Sequence, residues 1–272
     1  MRLVVITCVL NPGELLVDTR KSILAQDVPH GSELVHIIWD GGSEDGTRDS
    51  LQTTLYESAV VILGDDNGFY DALSKCLEKV PDGIHSYLNA GDMWFPNAAK
   101  LVLVHFKEEQ ESAWITGRQT IFNKIGDETS SRLPPRFKKV HILNGKYNAK
   151  TLPTIQQEST FWRSDHTKTL NLSELATFQF AGDAYIWNHL AQRASLKVLN
   201  YKLGGFRQHG NHLSSNMQGY RSEMALFSRK THLVSCVTAL LEKLLWRLPE
   251  FIISFAWGRK HPKVRLRNSK KQ

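Results

Sequence analysis

Five short apolar runs rich in β-branched and aromatic residues recur along the first 116 residues: LVVITCVL (3–10), LVHIIW (34–39), VVIL (60–63), HSYL (85–88) and AWIT (113–116). The segments between them read as helices. Strands that alternate with helices in this way imply β-α-β units and a largely parallel sheet, so the fold class is α/β.

The helices have their own signals. Asn11 is placed to cap the first, Pro12 suits its first helical position, and Glu14 falls where a capping-box partner belongs. Leu16 and Ile23 give that helix an inner face, and a second helix is expected near Thr47. A third carries Tyr70, Leu73, Leu77 and Val80 at helical spacing, and a fourth follows Pro96 with Leu101, Val104 and His105 turned inward. Beyond residue 117 the alternation fails. The stretch 123–155, with Gly126, Pro134, Pro135, Gly145 and Pro153, reads as long loops or a flexible insertion. Ordered signals return at QQESTFWRS (156–164), AGDAYIWNHLAQRA (181–194) and LKVLNYKLGGF (196–206), and no internal repeat is visible.

The 272 residues suffice for a sizeable core, and 41% apolar with 22% charged residues is the composition of an ordinary globular protein. The net charge of +7 sits in the tail: residues 259–272 hold seven Lys or Arg and no acid, which leaves 27 basic and 27 acidic residues elsewhere. A neutral body lacks the distributed basic face of a nucleic-acid-binding module, so no nucleic-acid partner is expected. Cys8, Cys76 and Cys236 lie far apart without zinc or disulfide-framework spacing, which fits a reducing, cytoplasmic compartment. The run 3–10 ends in Asn-Pro-Gly and reads as a buried strand rather than a signal peptide.

In open α/β sheets, ligands bind beyond the carboxyl ends of the strands. Here those ends carry acids in succession: Asp40 after the second run, Asp65 and Asp66 after the third, Asp92 after the fourth. Asp and Gly make good turns, and one such loop would need no further reason. Three in a row at one sheet edge point to a site. Carboxylates repel a phosphate unless a hard divalent cation stands between them, so the pattern implies a nucleoside diphosphate held through Mg²⁺ or Mn²⁺. The glycine-rich direct phosphate cradles GxGxxG and GxxxxGK are absent.

IIWDGGSEDGT (37–47) resembles the DGGSTDGT segment of family-two glycosyltransferases, and DDNGFYDALSKCL (65–77) resembles their DxGIYDAMNKGI segment. LNAGD (88–92) stands where they carry a metal-binding acidic motif, in the NxGD form of relatives that build capsule and colanic-acid-type exopolysaccharide. QESTFWR (157–163) and FAGDAYIW (180–187) are similar to the acceptor-side segments QESTFWRR and AGDYDLW. The matches keep the family's order over roughly residues 3–215.

The resemblance implies a GT-A Rossmann-like domain with a mostly parallel central sheet, plus a C-terminal helical extension. It implies an inverting glycosyltransferase that moves a sugar from a UDP- or GDP-linked donor to a hydroxyl of a glycan or polyprenyl-linked acceptor. Domains are expected at 1–218, at 219–258 (a helical, membrane-associating segment) and at 259–272 (the basic tail). By the match, Asp40 binds the nucleoside, Asp66 and Asp71 line the same pocket, and Lys75 lies near the phosphates. Asp71 reads equally well as a first-turn helix acid. Asp92 is the metal ligand, and Asn89 orients it or bonds the sugar. Many relatives have a second Asp where this chain has Gly91, so His209 or His212 is the candidate for the missing ligand. Asp183 is the candidate general base and Glu158 the acceptor-side acid. The Gly91 departure keeps one alternative open, a noncatalytic nucleotide-sugar-binding protein with a degenerate metal site.

Residues 233–257 are apolar but interrupted by Glu242, Lys243, Arg247 and Pro249, so a spanning helix is not expected. Two readings stand. One is an interfacial helix that, with the basic tail, sits on an anionic membrane surface at the cytoplasmic face of the inner membrane. The other is a helix packed on the catalytic domain or on a partner subunit.

Overall fold

A computed structural model describes residues 1–208, 216–229 and 233–258. The chain opens with β1 (Arg2–Val9), α1 (Leu15–Leu24), β2 (Glu33–Asp40), the single turn α2 (Thr47–Ser50), β3 (Ala59–Leu63), α3 (Phe69–Lys79) and β4 (Ile84–Tyr87). There follow β5 (Met93–Trp94), α4 (Ala98–Glu108), β6 (Trp114–Thr116), the hairpin β7 (Gln119–Phe122) and β8 (Glu128–Arg132), and α5 (Lys139–Leu143). Then come β9 (Thr160–Arg163), α6 (Leu172–Leu175), α7 (Gly182–Arg193), β10 (Lys197–Val198), β11 (Gly204–Arg207), α8 (Met217–Phe227), α9 (Leu233–Leu245) and α10 (Glu250–Gly258).

Seven strands form the main sheet in the order β10-β6-β9-β4-β1-β2-β3, and β5, β11, β7 and β8 form a second, smaller sheet. The pairs β1–β2, β2–β3, β1–β4 and β6–β10 are parallel, whereas β9 runs antiparallel to β4 and β6. β1 lies between β4 and β2, and its residues Leu3 to Ile6 are wholly buried, as expected of a central strand covered on both faces. α3 packs Leu73 and Cys76 into one core, and α4 packs Leu101, Val102 and Phe106 into another. Trp114 stacks on Trp187 at 5.8 Å and Trp187 meets Trp162 edge-on at 5.6 Å. All three indoles are buried, and none offers a face to a sugar.

Four sequence expectations change. Asn11 does not cap α1: that helix starts after Glu14 without a side-chain cap, and Asn11 takes φ 50°. Its side-chain oxygen instead accepts the backbone N–H of Glu44 at 2.8 Å, tying the β1–α1 turn to the loop after β2. The insertion 123–155 contains the strand β8 and the helix α5 rather than loops alone. The run 196–206 divides between two sheets, with β10 beside β6 and β11 beside β5 and β7. The expected boundary at residue 218 falls inside α8.

α9 is docked by a buried acid. Glu242 is fully buried; it accepts the Tyr147 hydroxyl and pairs with Lys138 Nζ at 3.0 Å. Asn144 Nδ2 donates to Ser235 Oγ at 2.8 Å, Trp246 packs edge-on against Phe137, and Glu250 pairs with Arg118 at 2.5 Å. Pro249 separates α9 from α10, as its missing N–H requires.

Candidate active site

The acids expected on the nucleoside side occupy two adjoining loops. Asp40 ends β2 fully buried, where its carboxylate accepts Ser43 N at 3.2 and 3.3 Å and Arg48 Nε at 2.7 Å. Those donors make its burial tolerable, because an unpaired buried carboxylate would be strongly disfavoured. Asp66 accepts Trp39 Nε1 at 2.9 Å and Gly68 N at 3.0 Å. Its carboxylate crosses Gly41 so closely that a Cβ there would lie 2.2 Å from Asp66 Oδ2. Glycine at position 41 is therefore a packing requirement that brings the two loops together.

Asp71 sits in the first turn of α3 and accepts Asn67 N at 2.8 Å and Lys75 Nζ at 2.9 Å. Burial would raise its pKa, but the Asn67 N–H and the Lys75 ammonium outweigh it and hold the carboxyl below its usual value. Lys75 also donates to the Asp65 carbonyl at 2.8 Å, so this lysine braces the loop that carries Asp66.

Asp92 follows β4 in a tight turn. Gly91 takes φ 100°, a conformation an aspartate would adopt only with strain, and its N–H meets Thr19 Oγ1 at 2.8 Å and the Leu15 carbonyl at 3.1 Å. The departure from the family's second acid thus has a local conformational reason. Asp92 is buried and its Oδ1 accepts Arg207 N at 2.9 Å, while Gln157 Nε2 lies 3.5 Å from Oδ2 and 2.9 Å from Glu158 Oε1. Burial, and then the facing Glu158, push the Asp92 carboxyl well above the usual carboxylate range. Burial raises Glu158 too, and the two carboxyls hydrogen-bond each other.

Asp183 stands in the first turn of α7, half-buried, with Ala184 N at 2.6 Å from Oδ1 and the Tyr220 hydroxyl 3.4 Å from Oδ2. Burial pushes its pKa up to about 7, the charge of Glu158 adds to the rise, and the donors Ala184 N–H and Tyr220 O–H oppose it. The loop entering α7 is clamped from α8: Glu223 accepts Gln179 N at 2.9 Å, Phe180 N at 2.9 Å and Ala181 N at 2.8 Å. Tyr220 and Glu223 are one helical turn apart, so a single face of α8 holds both the acid and its loop.

Tyr70 connects the two sides. It follows the Asp66 loop, its hydroxyl reaches the Phe180 carbonyl at 3.4 Å, and a Cβ on Gly182 would lie 2.4 Å from its ring. Burial, and then the charge of Asp183, push the hydroxyls of both Tyr70 and Tyr220 well above the ordinary value. Asp40 ends β2 and Asp92 follows β4, the two strands that flank β1. The structure therefore brings Asp40, Asp66, Asp71, Asn89, Asp92, Glu158 and Asp183 to one rim of the main sheet. His209 and His212 lie outside the described residues.

Sequence reasoning missed Arg48, Gln157, Arg207, Tyr220 and Glu223. Gln157 opens the quoted QESTFWR segment and Arg48 directly follows IIWDGGSEDGT; Tyr220 and Glu223 belong to no motif and reach the site only through the packing of α8.

Among the described residues no three His, Cys, Asp or Glu side chains gather as a metal centre. The Asp92 loop nonetheless offers hard oxygen donors: the Asp92 and Glu158 carboxyls, and the buried Asn89 Oδ1, which has no hydrogen-bond partner. Two crowded acids and an orphan amide oxygen fit Mg²⁺ or Mn²⁺ with the remaining positions left to water and phosphate oxygens.

The profile of glycosyl transferase family 2 matches residues 4–168, more than half of the sequence. The chain belongs to glycosyl transferase family 2. Among solved structures, this family 2 glycosyltransferase resembles S. aureus TarS 1-349 in complex with UDP-GlcNAc, with TM-score 0.61, 15% identity, and 98% of this chain and 77% of that one covered. It also resembles mannosyltransferase PcManGT from Pyrobaculum calidifontis in complex with GDP-Man and Mn²⁺, with TM-score 0.62, 14% identity, and coverage of 95% and 75%. These likenesses establish the shared GT-A fold, with its C-terminal helices. No curated protein matches the sequence.

Proposed function

We propose that the protein is an inverting glycosyltransferase that moves a hexosyl group from a nucleoside-diphosphate donor to a hydroxyl of a glycan or lipid-linked acceptor in cell-surface polysaccharide synthesis. The observation that carries this reading is the convergence of Asp40, Asp92 and Asp183 on one rim, with Asp183 at a pKa of about 7. The nucleotide complexes of the neighbours TarS (UDP-GlcNAc) and PcManGT (GDP-Man) support a nucleotide-sugar donor.

In this reading Asp40 and Asp66 hold the nucleoside, and Asp71 with Lys75 keeps their loop in place. Asp92, Glu158 and Asn89 Oδ1 would hold a divalent cation, which supplies positive charge against the diphosphate; the Mn²⁺ in the PcManGT complex supports this. Asp183 takes the proton of the acceptor hydroxyl as its oxygen attacks the anomeric carbon, and the bond to the diphosphate breaks on the opposite face, inverting the configuration. The transfer domain runs to the end of α8, because Tyr220 and Glu223 belong to the site; the rest is the C-terminal extension, placed at the cytoplasmic face of a membrane where lipid-linked acceptors lie.

The test is release of UDP or GDP from a panel of nucleotide sugars with Mn²⁺. We expect one donor to turn over, and Asp183→Asn to lower kcat by about 10²- to 10⁴-fold with the donor KM little changed. Equal turnover by the variant would remove Asp183 from the chemistry, and tight binding without any turnover would return the noncatalytic alternative.

A further inference from the structure

α9 carries two opposed faces, and the structure accounts for only one of them. The inner face, with Ser235, Ala239, Glu242 and Trp246 at spacings of four, three and four, is buried against α5 and the segment around Phe137 and Tyr147. Half a turn away lie Val237, Leu240, Leu241, Leu244 and Leu248, with no charged residue among them. Leu240 is 64% and Leu241 58% exposed, and the apolar surface continues onto α10 through Phe251 at 73%. Monomeric soluble proteins rarely show so continuous an apolar strip without a use for it.

The charges beside the strip identify what it meets. Lys243 and Arg247 lie along its flank, and the seven Lys or Arg of residues 259–272 follow α10 directly, in a chain whose remaining charges cancel. A second copy of this chain would answer the apolar strip but would bring an equally basic tail to the same contact. An anionic lipid surface answers both, since apolar side chains enter the acyl boundary while cations stay at the headgroups. Among the described residues no helix is long and apolar enough to cross a membrane, so the mode is one of lying on the surface.

We propose that the outer face of α9 and α10 docks the enzyme flat on an anionic lipid surface. α9 rests on α5 and α5 on α7, whose first turn carries Asp183, so the docking face and the transfer site belong to one packed body. This deepens the functional reading above by naming the surface that meets the acceptor's lipid, and it relies on that reading only for the identity of the acceptor.

The experiment is flotation of the full chain with vesicles of phosphatidylcholine alone or with added phosphatidylglycerol, in low and high salt. The expected result is salt-sensitive flotation with the anionic vesicles only. Leu241→Asp combined with Leu244→Asp should weaken it by about tenfold or more, as should replacing Lys263, Arg265 and Arg267 by Glu. Both variants alter exposed or tail positions, and an unchanged melting temperature and unchanged transfer to a soluble acceptor would show that the body is intact. A full chain that stays at the bottom of the gradient with anionic vesicles, or an Asp variant that floats like the parent, would overturn the proposal. So would a dimer in sedimentation that the two Asp substitutions split, which would assign the face to a second copy. Loss of docking with transfer retained would leave the transferase reading standing; docking without transfer by the parent chain would count against that reading alone.

Discussion

A carboxylic acid with a pKa near 7 is well matched to taking a proton from a hydroxyl in the cell, and Asp183 reaches about 7 because burial and Glu158 outweigh the two donors that favour its charged form. The rate of transfer should therefore climb with pH through about 7, since only the ionised form accepts the proton. Tyr220→Phe removes a donor to that ionised form, so its profile should shift to higher pH while the plateau changes little; an unmoved profile would separate Tyr220 from the base. The same shift has a sign in stability. The folded protein holds this proton more tightly than the unfolded chain does, so the group's stabilisation is complete below about pH 4 and is lost as pH rises through about 7. Asp183→Asn mimics the protonated form, and should melt higher than the parent at about pH 8 while transferring sugar about 10²- to 10⁴-fold more slowly.

The element that most constrains Asp183 is α8, which belongs to no motif. Glu223 satisfies three N–H groups at the entrance to α7, where helix geometry leaves such donors without partners of their own. Glu223→Gln keeps the shape but withdraws the charge and part of the accepting capacity. It should cost about 1–3 kcal/mol of stability and lower kcat roughly tenfold with the donor KM unchanged, as measured by thermal melts and steady-state kinetics. A fall in stability with kcat intact would make the clamp structural alone. The contrast between α8 and the strand-end loops explains what could be read beforehand. β1, β2 and β4 announce themselves through local composition, and Asp40, Asp66 and Asp92 through the turns that end strands. Glu223 and Tyr220 act on residues about forty positions earlier, a relation that periodicity does not encode. Asn11 illustrates the converse: its local signal was that of a cap, but a longer-range bond to the Glu44 N–H took its side chain.

For the whole molecule, the proposed nucleotide side and the proposed acceptor side are built on different supports. Asp40 and Asp92 follow the strands on either side of the buried β1 and Asp66 follows the edge strand β3, whereas Asp183 depends on α7 and α8. A ligand bound only by the folded state raises stability by about 2.7 kcal/mol at a hundredfold excess over its Kd. A matching UDP or GDP should therefore raise the melting temperature by several degrees with Mn²⁺ present, and chelation should abolish most of that rise. A rise indifferent to chelation would mean that the diphosphate is held without a cation.

The two supports touch at Tyr70 and Gly182, where a single added methyl group would overlap the phenol ring. A contact with so little clearance transmits displacement instead of absorbing it. A displacement at the start of α3 would therefore be handed to the turn that carries Asp183, and the expected outcome of product-inhibition kinetics is an ordered sequence, donor before acceptor.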